Sequence, residues 1–153
     1  MKIIWWILIA FWCGMIFFQS SKPATESHKQ SLFIVVAVNH WVTALVGKEV
    51  VVLTDARIRM LAHFIEYMIF GILLFNGFSS GKSLRRTFLL FLAVGITWAV
   101  SDEIHQFFVP GRTMRLIDVM TDTAGILCGA GLMSCRRPWC SPWWPRSIRK
   151  SSR

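Results

Sequence analysis

LRRTFLLFLAVGITWAVSDEIHQFFVPGRTMRLIDVMTDTAGILCGAGLM, residues 84–133, holds two long apolar runs, Leu84 to Phe108 and Leu116 to Met133, joined by a short polar turn. Each run has the ~17–25 mostly apolar residues that a bilayer-spanning helix needs. Pro110 and Gly111 supply the chain reversal between them. Two further blocks upstream, Ile3 to Phe18 and Arg59 to Phe78, are bounded in the same way by glycine, serine, proline or charge. A fifth stretch, Leu32 to Val46, is apolar but only fifteen residues long and carries Asn39 and His40. That length suits an interfacial or re-entrant helix better than a full crossing. The expected fold is all-α: a polytopic bundle with about four spanning helices, occupying residues 1–134, and a basic Trp/Pro-containing tail over 135–153.

Composition agrees. Hydrophobic residues make up 54% of the 153-residue chain, with eight tryptophans and twelve phenylalanines, and soluble domains reach about 45–50% only when glycine is counted. The first block, with Trp5 and Trp6 beside Lys2, suits the aromatic belt of a retained helix. No small-x-small cleavage pattern follows Phe18, as a signal peptide would require.

The formal charge of +9 is spread in a way that argues against a nucleic-acid binder. Lys2, the loop residues Lys82, Arg85 and Arg86, and the tail residues Arg136, Arg137, Arg146, Arg149, Lys150 and Arg153 are unaccompanied by acids, whereas all eight acidic residues fall on the other side or in the outer parts of the helices. The positive-inside rule then puts both termini in the cytoplasm of a multi-pass protein of the cytoplasmic membrane. A five-helix arrangement would reverse only the N-terminus.

Chemistry-bearing residues gather at the opposite, outer end. Arg59, His63, Glu66 and Tyr67 follow helical spacing on one face. Asp102, Glu103, His105 and Gln106 close the third span, Arg112 sits in the turn, and Asp118 and Asp122 continue as a stripe into Gly125 and Gly129, small residues that suit close helix packing. Ionisable groups cost ~2.5–3.5 kcal/mol each near a membrane centre, so their concentration at one level implies a shared pocket.

Three uses of such a pocket differ in chemistry. Arg59 and Arg112 could hold a phosphate, carboxylate or lipid headgroup, oriented by His63, Glu66, Tyr67, Gln106, Asp118 and Asp122. Asp102, Glu103 or His105 could act as general acid or base on such a ligand. The arginines could instead only neutralise Glu66 and Asp118, a structural ion-pair network. The pairs His63-x-x-Glu66 and Asp102-x-x-His105 resemble metal-binding spacings, but their order is mixed, so neither a metal nor another cofactor is expected. Cys135 and Cys140 form no zinc motif. The inner halves, such as Met68 to Leu74 and Leu89 to Trp98, carry no charge, unlike a transporter relay.

Three stretches, FFQSSKPA (17–24), RMLAHFIEYMIFG (59–71) and SDEIHQFFVPGRTMRLIDVMTDTAGILCG (101–129), resemble the VanZ-like membrane proteins, named after a glycopeptide-resistance protein affecting teicoplanin. The resemblance implies a four- or five-helix membrane domain, some of whose members are linked to resistance. It brings no defined reaction. The expected partners are membrane lipids and a cell-wall precursor or lipid headgroup, with no nucleic acid.

Overall fold

The computed structural model describes residues 2–48, 51, 53–78 and 84–135. The tail beyond 135 and the loop around Lys82, on which much of the charge asymmetry rests, lie outside the described residues. Among the described residues every regular element is a helix: α1 Lys2–Ser20, α2 Ala24–Val46, α3 Asp55–Phe78, α4 Leu84–Phe107 and α5 Leu116–Cys135. All five are long and apolar enough to cross a membrane by length and composition. Large apolar side chains such as Ile7, Phe11, Phe18, Leu89 and Met120 point outward, and an apolar exterior of this extent needs lipid, not water, as its surroundings.

Side-chain register gives each helix a direction. The Trp6 ring meets Phe78 edge-on at 5.1 Å, while Ser20, at the other end of α1, bonds Asp102 near the end of α4. α1 therefore runs antiparallel to α3 and parallel to α4. α5 runs parallel to α3, because Gly125 packs on Phe64 and Met68, and Gly129 on Met68 and Ile72. A Cβ added at Gly125 would lie 2.5 Å from the Phe64 carbonyl oxygen. Glycine alone lets the two backbones approach this closely. Tyr67, Phe70, Leu74, Phe91 and Ile126 fill the core between these helices.

Four helices thus alternate in direction, with the start of α1 and the end of α5 at one end and the polar residues at the other. α2 is the exception. Ala24 N–H donates to the Pro110 carbonyl at 3.2 Å, Ser31 bonds Asp55, and the Asn39 amide pairs with both backbone groups of Leu53 at 2.9 and 3.0 Å. Asp55 is eight residues before His63, about 12 Å at 1.5 Å per residue, and Leu116 is six before Asp122, about 9 Å. Since His63 and Asp122 are level, Ser31 and Asn39 lie at or beyond the start of α5. From Ala24 to Asn39, α2 therefore keeps its contacts at the polar end, the arrangement expected of a helix lying along a membrane surface.

The expectation of a fifteen-residue helix at 32–46 is corrected in length: α2 has 23 residues. Its first two turns, ATESHKQS, are polar and escaped a count of apolar residues. Pro23 starts the helix, its carbonyl accepting from the N–H groups of Glu26 and Ser27, and Gly47 ends it at φ 69°, a left-handed position that suits glycine. α3 likewise starts a turn earlier than Arg59. The Thr54 hydroxyl accepts from Arg57 N–H and Asp55 puts its carboxylate at the positive end of the helix.

Candidate functional site

At the polar end, Ser20 donates to Asp102 Oδ2 at 2.8 Å, and Gln106 Nε2 donates to the same oxygen at 3.0 Å. Arg112 then donates from Nη1 to Gln106 Oε1 at 3.0 Å, from Nε to the Lys22 carbonyl at 2.9 Å and from Nη2 to the Gln19 carbonyl at 3.4 Å. One guanidinium therefore satisfies carbonyls at the end of α1, which have no partner inside the helix, and ties α1 to α4 and the α4–α5 turn. Gly111, at φ 75°, makes that turn tight enough to bring Arg112 back over the helix ends. Burial and the nearby Arg59 guanidinium push Arg112 below its ordinary pKa, so two cations converge here.

Two cavities flank this network. The larger, about 210 Å³, opens between α1, α2 and α3; its charged lining is Lys22, Arg59 and Arg112 against Glu66, with His63 at its wall and Ile34, Ile58 and Ala62 as an apolar side. The smaller, about 100 Å³, is lined by Arg59, His63, Gln106, Arg112, Arg115 and Asp118 among others. Arg59, His63 and Arg112 belong to both.

Six of the eight residues expected to contact a ligand thus do line a cavity: Arg59, His63, Glu66, Gln106, Arg112 and Asp118. Tyr67 and Asp122 lie behind the walls, each 0% exposed. The residues read as acid/base candidates are not in the cavity linings. His105 stacks on Phe17 at 4.3 Å and has a ring nitrogen 3.0 Å from Ser21 Oγ. Glu103, also 0% exposed, accepts Arg115 N–H at 2.9 Å, which places its charge at the N-terminus of α5. Asp102 is held by Ser20 and Gln106.

The ion-pair network expected between the arginines and Glu66 or Asp118 is absent among the described residues. The close pairs are His28 with Asp55 at 3.2 Å, Arg59 with Asp55 at 3.9 Å and His63 with Asp122 at 3.5 Å. Contributions from Gln19, Ser20, Gln30 and Ser31 were missed by a reading centred on ionisable groups, and Lys22 by one centred on the later helices, although QSSK ends the first apolar run.

The arrangement of polar residues that end one helix, cross a Pro-Gly-Arg turn and continue down the next can now be compared with known families. The profile of the VanZ/LLP1 family matches residues 5–137, which takes in all five helices and both cavities. The chain belongs to the VanZ/LLP1 family. Searches of curated proteins and of solved structures returned no match. This VanZ-like protein is accordingly a membrane protein whose polar end is built from the FFQSSKPA, RMLAHFIEYMIFG and SDEIHQFFVPGR segments together.

Proposed function

We propose that the polar end of this VanZ-like protein binds the anionic headgroup of an envelope lipid or lipid-linked peptidoglycan precursor. The carrying observation is the charge of the larger cavity: Lys22, Arg59 and Arg112 line it against the single carboxylate of Glu66. Guanidinium groups are the side chains best suited to phosphate and carboxylate. Ile34, Ile58 and Ala62 give the same cavity an apolar flank suited to the start of an acyl or isoprenoid chain. Its volume of about 210 Å³ is below the ~300–1,000 Å³ of sites that enclose a drug-sized ligand, so it suits a headgroup whose tail stays in the bilayer.

The positive-inside distribution supports an extracytoplasmic position for this end in the cytoplasmic membrane, with both termini inside. A role in envelope homeostasis or glycopeptide resistance follows where the ligand is a cell-wall precursor. Acid–base chemistry on the headgroup is the second reading, favoured by the position of His63 in both cavity walls with Asp122 at 3.5 Å behind it.

Native mass spectrometry of the purified protein against phosphatidate, phosphatidylglycerol, phosphatidylcholine and a lipid-linked disaccharide precursor tests the proposal. Retention of one anionic species per chain, accompanied by a rise in melting temperature, is expected. Equal retention of phosphatidylcholine would refute headgroup recognition. Turnover lost in His63→Gln with binding retained would select the second reading.

A further inference from the structure

Asp122 is 0% exposed, and neither of its carboxylate oxygens has a hydrogen-bond partner. A buried carboxylate in that condition is costly unless something neutralises it. Its neighbour His63 holds Nδ1 3.5 Å from Asp122 Oδ1, yet that nitrogen also lacks a hydrogen bond. The spacing exceeds the 2.7–3.2 Å of an N–H···O bond. It matches two ligands on one ion: with zinc–nitrogen and zinc–oxygen bonds of about 2.1 Å, tetrahedral geometry separates the donor atoms by about 3.4 Å.

Asp102 supplies a third donor. One ligand atom from each of His63, Asp102 and Asp122 falls within 4.8 Å of the others, so closure by about an ångström would bring all three to bonding distance of one ion. Asp102 is already oriented through Oδ2 by Ser20 at 2.8 Å and Gln106 at 3.0 Å, the kind of support that fixes metal-binding carboxylates. The Tyr67 hydroxyl, one turn along α3 from His63, is fully buried and unpartnered.

Charge points the same way. Among the described residues no lysine or arginine comes within 4 Å of Asp102 or Asp122. From these observations we infer that His63, Asp102 and Asp122, one from each of α3, α4 and α5, bind a divalent transition-metal ion, with Zn²⁺ the best match to a mixed imidazole and carboxylate set. Three protein ligands leave a coordination position open. His63 lines both cavities, so its ring lies between the two buried carboxylates and the space in which a ligand would sit. The site stands without the headgroup reading, since its test needs no lipid.

The full chain, purified in detergent without a histidine tag and stripped with chelator, is titrated with Zn²⁺ by calorimetry and with Co²⁺ by visible absorption. The expected result is one ion per chain, a tetrahedral Co²⁺ spectrum, and at least tenfold weaker binding in His63→Gln and Asp122→Asn with helicity retained. Binding in His105→Ala and Cys128→Ser stays at the wild-type level. Should either ligand variant fail to fold, Ser20→Ala decides: loss of its support to Asp102 weakens Zn²⁺ binding roughly 10–100-fold. Absence of saturable binding to the wild type overturns the inference. So does binding that survives His63→Gln and Asp122→Asn, or Ser20→Ala, unchanged; His63 and Asp122 are then a pair without a metal.

Discussion

Replacing Gly129 by alanine tests the packing that positions the site. A Cβ there would press on the Met68 carbonyl and lie 3.0 Å from Met68 C and Ile72 N, all backbone atoms of α3 that cannot swing aside as a side chain can. The helices must part by several tenths of an ångström or more. Forcing an extra carbon into a packed interface costs about 1–3 kcal/mol, and the backbone contact puts Gly129→Ala toward the upper part of that range. The gain in helix propensity over glycine, up to about 1 kcal/mol, offsets only part of it. Gly131→Ala is the control, because nothing lies within 4 Å of its Cβ. Denaturant titration in mixed micelles, followed by circular dichroism, should show Gly129→Ala destabilised by about 1–2 kcal/mol net and Gly131→Ala unchanged or slightly stabilised. Equal stability of the two variants would refute the interlocked α3–α5 interface. Parting these helices also draws Asp122 from His63, so Gly129→Ala should bind headgroups more weakly than its stability loss alone requires.

Other consequences are equally specific. Arg112→Lys keeps the charge but loses the fork that reaches Gln106, Lys22 and Gln19, and a melting experiment should register a loss of about 1.5–3 kcal/mol. Glu103→Ala should cost about 0.5–2 kcal/mol as a lost helix cap, with faster hydrogen exchange at Arg115 N–H and no change in headgroup selectivity. His105→Ala removes a stacking contact with Phe17 worth about 0.5–1.5 kcal/mol and should leave ligand affinity intact, contrary to a catalytic role. Trp41, 69% exposed on α2, should be quenched by lipids brominated near the headgroup more strongly than by lipids brominated at the chain ends, as an interfacial α2 requires.

Much of the bundle was legible because bilayer spans announce themselves: apolar blocks of sufficient length, closed by Pro110-Gly111 or by charge. The convergence of Arg59, His63 and Glu66 was legible too, since helical spacing fixes which residues share a face. Partners across helices were not. Ser20 and Asp102 are 82 positions apart, and whether they meet depends on the rotation of α1 against α4, which no periodicity encodes. The metal-like pairs weighed within single helices, His63 with Glu66 and Asp102 with His105, gave way to His63, Asp102 and Asp122 across three. The polar start of α2 escaped notice for a different reason, because a helix at a membrane surface is not marked by an unbroken apolar run.

The most direct measurement is the affinity of the wild type and of Arg59→Gln for short-chain phosphatidate and short-chain phosphatidylcholine, titrated in detergent below the micelle concentration of either lipid. Arg59 lines both cavities and bonds only loosely to Asp55 at 3.9 Å, so its replacement leaves the fold in place. Saturable binding of phosphatidate over phosphatidylcholine, weakened at least tenfold by Arg59→Gln, is the expected result. Binding of both lipids alike, or phosphatidate binding indifferent to Arg59, would contradict an anionic-headgroup site at the polar end.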